Sequence, residues 1–261
     1  MPPPITPVAP IRRGFIYIGN DALSFDYSLI SRRIFIFGNK NGDSLTNTGD
    51  ISYNKISFGD GNTDNVSSYS GNISNNTISF GDGGGDEVIA YGGSISNNKI
   101  SFGDGGGDFV AAAGSISNSK ISFGDGYNDG VQGGAAGDHN IIKMGNGDDD
   151  VVDLRFDNKD TITVGTGNLV EIHMGTDTTA TVGKNGGIDT FFFEQTTQGD
   201  IGSAKIYNFD IAKDIIEISM SGSYSSVINH HNTIITINGD ALDTITLVGV
   251  ETTGLSFINP V

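Results

Sequence analysis

Aspartates recur at nearly constant spacing through the first 150 residues, at Asp43, Asp64, Asp86, Asp108, Asp129 and Asp149 or Asp150. Four of them close a glycine-rich segment that carries a second acid near its start. These segments are Gly59-Asp60-Gly61 before Asp64, Gly81-Asp82-Gly83 before Asp86, Gly103-Asp104-Gly105 before Asp108, and Gly124-Asp125-Gly126 before Asp129. A fifth, Gly145-Asn146-Gly147, precedes Asp148-Asp149-Asp150. Carboxylates supply charge and glycine turns expose backbone carbonyls. Together they form the donor set of a hard cation such as Ca2+, which takes six to eight oxygens in an adaptable geometry. Mg2+ fits less well, because it demands a stricter octahedron and sheds water reluctantly. Turn formation alone also favours Asp and Gly, but it gives no reason for two acids in each of four successive turns.

The composition points the same way. Of 261 residues, 31 are acidic and 14 basic, a net charge of −17, and 26 of the acids are Asp against five Glu. A merely solvated acidic surface would use Glu as freely. With 39 Gly, no Cys and no Trp, the chain is unsuited to a helical bundle, a zinc–thiolate site or a disulfide scaffold. The acidic balance also excludes a nucleic-acid binder with a basic face. No segment reaches the roughly 18 apolar residues of a membrane-spanning helix. The opening Met-Pro-Pro-Pro-Ile-Thr-Pro-Val-Ala-Pro has no apolar stretch of a cleaved secretory signal, and residues 1–12 read as a flexible Pro-rich tail.

The elements that must position the acids follow from an internal repeat. The apolar residue before each Gly-Asp or Gly-Asn turn forms the series Ile18, Phe37, Phe58, Phe80, Phe102, Phe123, Met144, Val164, Val182, with steps of 18 to 22 residues. Each unit holds short alternating runs such as Lys99–Phe102 and Val88–Tyr91, broken by Gly, Asp and Asn. Strands this short cannot bury their apolar sides alone and must stack on the next unit. The expected fold is all-β, a parallel β-roll or β-solenoid of about nine coils with two flat faces. Ile56, Ile78, Ile100 and Ile121 form one internal ladder, and Val66, Val88, Val110 and Val131 another. The acidic turns then fall in one column along one edge. On the other edge Asn75, Asn97 and Asn118 are expected to stack as a hydrogen-bonded ladder. Successive coils lie about 4.8 Å apart, where two carboxylates repel by about 0.9 kcal/mol in water and about 3.5 kcal/mol at an effective dielectric of 20. Counter-ions bridging adjacent coils would relieve that cost.

Gly145-Asn146-Gly147-Asp148-Asp149-Asp150-Val151 resembles the G-G-x-G-x-D-x-U-x nonapeptide of repeats-in-toxin (RTX) calcium-binding β-rolls. The resemblance places the motif's aspartate on Asp149 and its apolar residue on Val151. On that alignment the turn Gly81–Val88 is one residue longer. Gly165-Thr166-Gly167-Asn168-Leu169-Val170 lacks the Asp and reads as a weak or vacant site. Gly187–Phe193, Ile206–Asp210, Asp214–Ile218 and Asp243–Val250 resemble the C-terminal cap of such rolls. Leu255–Val261 is similar to the uncleaved signal of type I exporters. The resemblance implies repeats over 13–190, a capping region with export signal over 191–261, several Ca2+ ions along one edge, and secretion through type I machinery. It further implies a non-enzymatic protein, like small exported calcium-binding proteins of rhizobia, that folds on meeting extracellular calcium and acts at a cell surface or host.

Other chemistries find less support. Gly42-Asp43-Ser44-Leu45 resembles the nucleophile block of GDSL esterases, but none of His139, His173, His230 and His231 follows an Asp by three residues, and the segment falls in register with the repeat. Paired-carboxylate catalysis needs a unique pair, which a repeated column does not offer. The adjacent His230 and His231 would point to opposite sides of a strand. An ice-binding face would need Thr ranks, and Thr77 is alone in its column. The alternative function is polysaccharide binding, as in RTX-like modules attached to alginate-modifying enzymes, with columns Lys55, Lys99, Lys120 and Ser57, Ser79, Ser101, Ser122 meeting an acidic glycan.

Overall fold

The computed structural model describes residues 16–167, 169–184, 186–194, 201–219, 223–252 and 255. The Pro-rich tail and residues 256–261 of the expected export signal lie outside them. The described residues contain no helix, and the strands wind into a parallel solenoid of about nine turns. One coil illustrates the rest. Lys99–Ser101 lies in the first sheet, the acidic turn follows, Phe109–Ser117 crosses the second sheet, and Lys120–Ser122 returns to the first. In-register parallel pairing sets Ile78 on Ile100 on Ile121, and Val88 on Val110 on Val131. Alternation in these strands sends one side chain inward and the next outward. The isoleucine and valine ladders are buried as expected.

Phe37, Phe58, Phe80, Phe102 and Phe123 stack with near-parallel rings, centroids 4.5–4.9 Å apart and planes within 6°. The column thus follows the coil spacing, and each ring pair adds about 0.5–1.5 kcal/mol beyond its area burial. The first member of the series differs. Ile18 is 74% exposed, Gly19 is the partner of Phe37, and the inward Tyr17 ring packs on Phe37 at 5.3 Å. A one-residue change of register moves a side chain to the other face.

The coils also have more than two faces. Leu29–Ser31, Asp50–Ser52, Ile73–Ser74 and Ile95–Ser96 form a third column of parallel strands, joined by the later part of Phe109–Ser117. Their inward Ile30, Ile51, Ile73, Ile95 and Ile116 make a further buried ladder. Coils of 21 or 22 residues hold more chain than two short strands and two turns require, and the surplus folds as this third strand. The 18-residue step from Val164 to Val182 has no such strand. Parallel stacking continues through Asp189–Glu194 and Ile215–Ser219. Beyond it Tyr224–Asn229, Asn232–Ile237 and Asp240–Val248 form an antiparallel meander on the end of the first sheet.

Candidate functional site

Each acidic turn is built from three residue columns. The first is glycine: Gly83, Gly105, Gly126, Gly147 and Gly167 sit directly over the preceding coil's glycine carbonyl, where a Cβ would lie only 1.5–2.1 Å from the oxygen. The second holds the left-handed conformation that reverses the chain, with Gly42, Thr63, Gly85, Gly107, Asn128, Asp149 and Leu169 at φ between 59° and 80°. The third follows immediately and is Asp43, Asp64, Asp86, Asp108, Asp129 and Asp150, all 0–1% exposed.

These six aspartates form a directional ladder. The backbone amides of Asp43, Asp64, Asp86, Asp108 and Asp129 each donate to Oδ1 of the next coil's aspartate at 2.8–3.0 Å. The other oxygen, Oδ2, is buried without a hydrogen-bond partner in all six. Burial raises Asp64 to about 6 and Asp86, Asp108, Asp129 and Asp150 to about 7. In those five the amide hydrogen bond opposes the shift and the neighbouring aspartate's charge adds to it. Asp43 is raised too, again chiefly by burial. A buried acceptor left unpaired costs about 1–3 kcal/mol, and more when charged. The column therefore needs protons or a cation.

Asp60, Asp82, Asp104, Asp125 and Asn146 form a second, exposed ladder running the opposite way. The amides of Asp82, Asp104, Asp125 and Asn146 donate to Oδ1 of the preceding coil's aspartate at 3.0–3.3 Å. Each coil from Gly59 to Asp129 thus pairs an inner carboxylate with an outer one.

The structure corrects the register of the last turn. Asp149 is exposed and takes the left-handed position, φ 61°, while Asp150 is the ladder member. Val152, not Val151, pairs with Val131 and is buried. Gly81 to Val88 and Gly145 to Val152 consequently span the same length, and the extra residue expected in the earlier turns does not exist. Val170 occupies the ladder position of the next coil and is buried there. Beyond it the acids resume: the Asp189 amide donates to Asp214 Oδ1 at 3.2 Å, and Asp189 Oδ1 is buried without a partner.

The opposite edge repeats the geometry with a different side chain. Asn75, Asn97 and Asn118 are left-handed, with φ of 51–57°, and the hydrogen-bonded ladder is one residue further on. It runs Asn54, Asn76, Asn98, Ser119, Asn140, Asp160. The amides of Asn54 and Asn76 donate to Oδ1 of the next coil's asparagine at 2.8 Å. Each Nδ2 donates to a carbonyl: Asn54 to Ile30, Asn76 to Ile51, Asn98 to Ile73 and Asn140 to Ile116, at 2.8–3.1 Å. Asp160 and the nearby Asp157 were not singled out from the sequence. Both are buried, and burial raises them to about 7 and about 8 respectively.

Among the described residues no three His, Cys, Asp or Glu side chains converge as a metal cluster. The aspartate column offers one unpaired carboxylate oxygen per coil, at the end of a glycine-rich turn whose backbone carbonyls are further oxygen donors. This donor set of oxygens alone fits a hard cation and no thiophilic one. Ser44 pairs with Asn65 in the repeat register, and His173 is six strands further along the same sheet, about 29 Å at strand spacing. His230 and His231 form the turn between two antiparallel strands, with φ of 48° and 65°, and His231 Nδ1 contacts Glu251. Lys55, Thr77, Lys99 and Lys120 line one exposed column of the first sheet. No protein-family model and no curated protein matches the chain.

Proposed function

We propose that this protein is a calcium-binding β-solenoid of the RTX kind, exported by type I machinery and completed by extracellular Ca2+, without catalytic activity of its own. The reading rests above all on the six buried aspartates whose Oδ2 atoms lack partners. Asp43, Asp64, Asp86, Asp108, Asp129 and Asp150 are the residues that would hold the ions, with carbonyls of the intervening glycine turns. Calcium, when bound, would supply the positive charge that lets adjacent carboxylates stay ionised at coil spacing.

The chain's own residues couple that binding to folding. The aspartates approach one another only when coils stack, so a ligand of the stacked form stabilises it by mass action. Extracellular calcium modules typically bind in the range of about 10⁻⁴–10⁻³ M, which leaves the column unfilled in a calcium-poor cytoplasm. There the aspartates repel and the coils stay open, a state suited to export. Outside the cell the roll closes and presents its faces to a surface or host. Circular dichroism during a calcium titration tests this reading. β-Structure should appear or gain stability with calcium and fall with chelator, and identical spectra and melting in both would overturn it. The exposed Lys55–Thr77–Lys99–Lys120 column favours a second reading, an acidic-polysaccharide module. A glycan screen in calcium, with Lys99→Ala and Lys120→Ala as controls, separates the two.

A further inference from the structure

The first sheet carries two charged columns that the buried aspartate ladder does not use. Lys55, Lys99 and Lys120 start successive strands, exposed, with Thr77 in the same column. None of the three lysines is in an ion pair among the described residues. Two residues later, on the same outward side, come Ser57, Ser79, Ser101 and Ser122. Glycine follows after two more, and the outer acids lean over it. A Cβ on Gly81, Gly103, Gly124 or Gly145 would lie 2.4–2.7 Å from Oδ1 of Asp60, Asp82, Asp104 or Asp125 of the preceding coil. One flank of this face is therefore basic, the other acidic, and the middle small and flat.

The two charged columns begin and end on the same coils. Lys55 stands with Asp60, Thr77 with Asp82, Lys99 with Asp104 and Lys120 with Asp125, always five residues apart. The coil before pairs Ile34 with Asn39 and the coil after pairs Ile141 with Asn146, so charge leaves both columns together. At about 3.3 Å per residue the columns are roughly 13–17 Å apart within one chain, too far for an ion pair. Charges matched in height but separated in width suit a partner that crosses the face.

We propose that this partner is a second copy of the chain, docked face to face on the first sheet. A two-fold axis parallel to the solenoid, passing over the serine column, exchanges the flanks and leaves every coil at its own height. Lys99 of one copy then meets Asp104 of the other, Lys55 meets Asp60, and Lys120 meets Asp125, on both sides of the axis. Each serine meets its own symmetry mate, and a hydroxyl both donates and accepts. Small side chains let the sheets approach to about 10 Å, a gap that lysine can span. Such an isologous contact closes at two copies. Lys143 takes the serine position in the next coil and would face itself, which bounds the interface. The six strands from Ile16–Gly19 to Lys120–Ser122 offer about 29 Å by about 17 Å, or about 500 Å² per copy. That area belongs to weak, transient complexes. The inference does not depend on what fills the buried aspartate column.

Sedimentation of the full-length protein in calcium, over a concentration series, should show a monomer–dimer equilibrium that weakens as salt rises. Lys99→Asp and Asp104→Lys should each weaken self-association at least about tenfold, through like charges set face to face. Mixed together, the two variants should recover a heterodimer, because each supplies the charge the other lacks. Lys99 is exposed, so its variant should keep the fold. Should Asp104→Lys compromise folding, Asp104→Asn retains the acceptor for the Asp125 amide and should still lower association. A wild-type protein that stays monomeric throughout overturns the interface, as does a dimer that Lys99→Asp leaves unchanged. A monomer whose lysine column captures an acidic polysaccharide gives the face to that ligand and overturns it equally.

Discussion

The two edges of the solenoid are made with the same backbone and opposite chemistry. Each reverses the chain through a left-handed residue followed by a buried side chain that accepts the preceding coil's amide. On one edge that side chain is mostly asparagine, and its nitrogen finds a carbonyl. On the other it is aspartate, and Oδ2 finds nothing. An amide carries no charge to bury, so aspartate is the costlier choice for the bare chain. The difference marks the aspartate edge as the one whose buried side chains call for a proton or a cation.

The pH dependence of the metal-free protein is the largest lever on this comparison. An aspartate with a folded pKa above its ordinary value of about 3.9 stabilises the fold only while protonated. That contribution is full below about pH 4 and is lost as pH rises through about 7, the value reached by Asp86, Asp108, Asp129 and Asp150. In chelator, thermal stability should therefore climb as pH falls from 8 to 5, by more than any single substitution changes it. A pH-independent melting temperature would break the comparison.

Next in size is Gly147→Ala, which places a methyl 1.5 Å from the Gly126 carbonyl. It should cost about 3 kcal/mol, at the upper end for overpacking, and should do so with or without calcium in a urea titration. Asn76→Asp transplants one edge into the other. It removes the donor to Ile51 and should cost about 2 kcal/mol at pH 8, most of it regained at pH 5. Phe80→Leu, which interrupts the ring stack but touches neither ladder, should lose about 1 kcal/mol equally at both pH values.

Much of this was legible in the sequence because stacking writes one residue type into a column. The Phe, Ile and Val ladders and the acidic column all appear as recurrences of 21 or 22 residues. Single-residue register was harder to read. On both edges the left-handed residue and the ladder residue are adjacent, and Asn or Asp suits either position. Asp149 was therefore a candidate beside Asp150, and Asn75 was preferred to Asn76. Comparison across coils carries the missing signal: the left-handed position varies through Gly, Thr, Asn and Leu, whereas the ladder position stays Asp until Val170. The third strand column was hidden because Ile51, Ile73 and Ile95 lie in segments of two or three strand residues. Asp157 and Asp160 stand in a turn without glycine, so the Gly-Asp pattern that marks the other turns does not point to them.

The central claim is that the aspartate edge is built for a cation, and Asp108→Asn tests it most directly. The substitution keeps the Oδ1 acceptor and replaces the unpaired oxygen by a donor, giving the acid edge the chemistry of its neighbour. Urea unfolding at pH 8 should show the variant more stable than wild type in chelator, by about 1–3 kcal/mol, and less stable than wild type in saturating calcium. A variant destabilised by the same amount in both conditions would contradict the account.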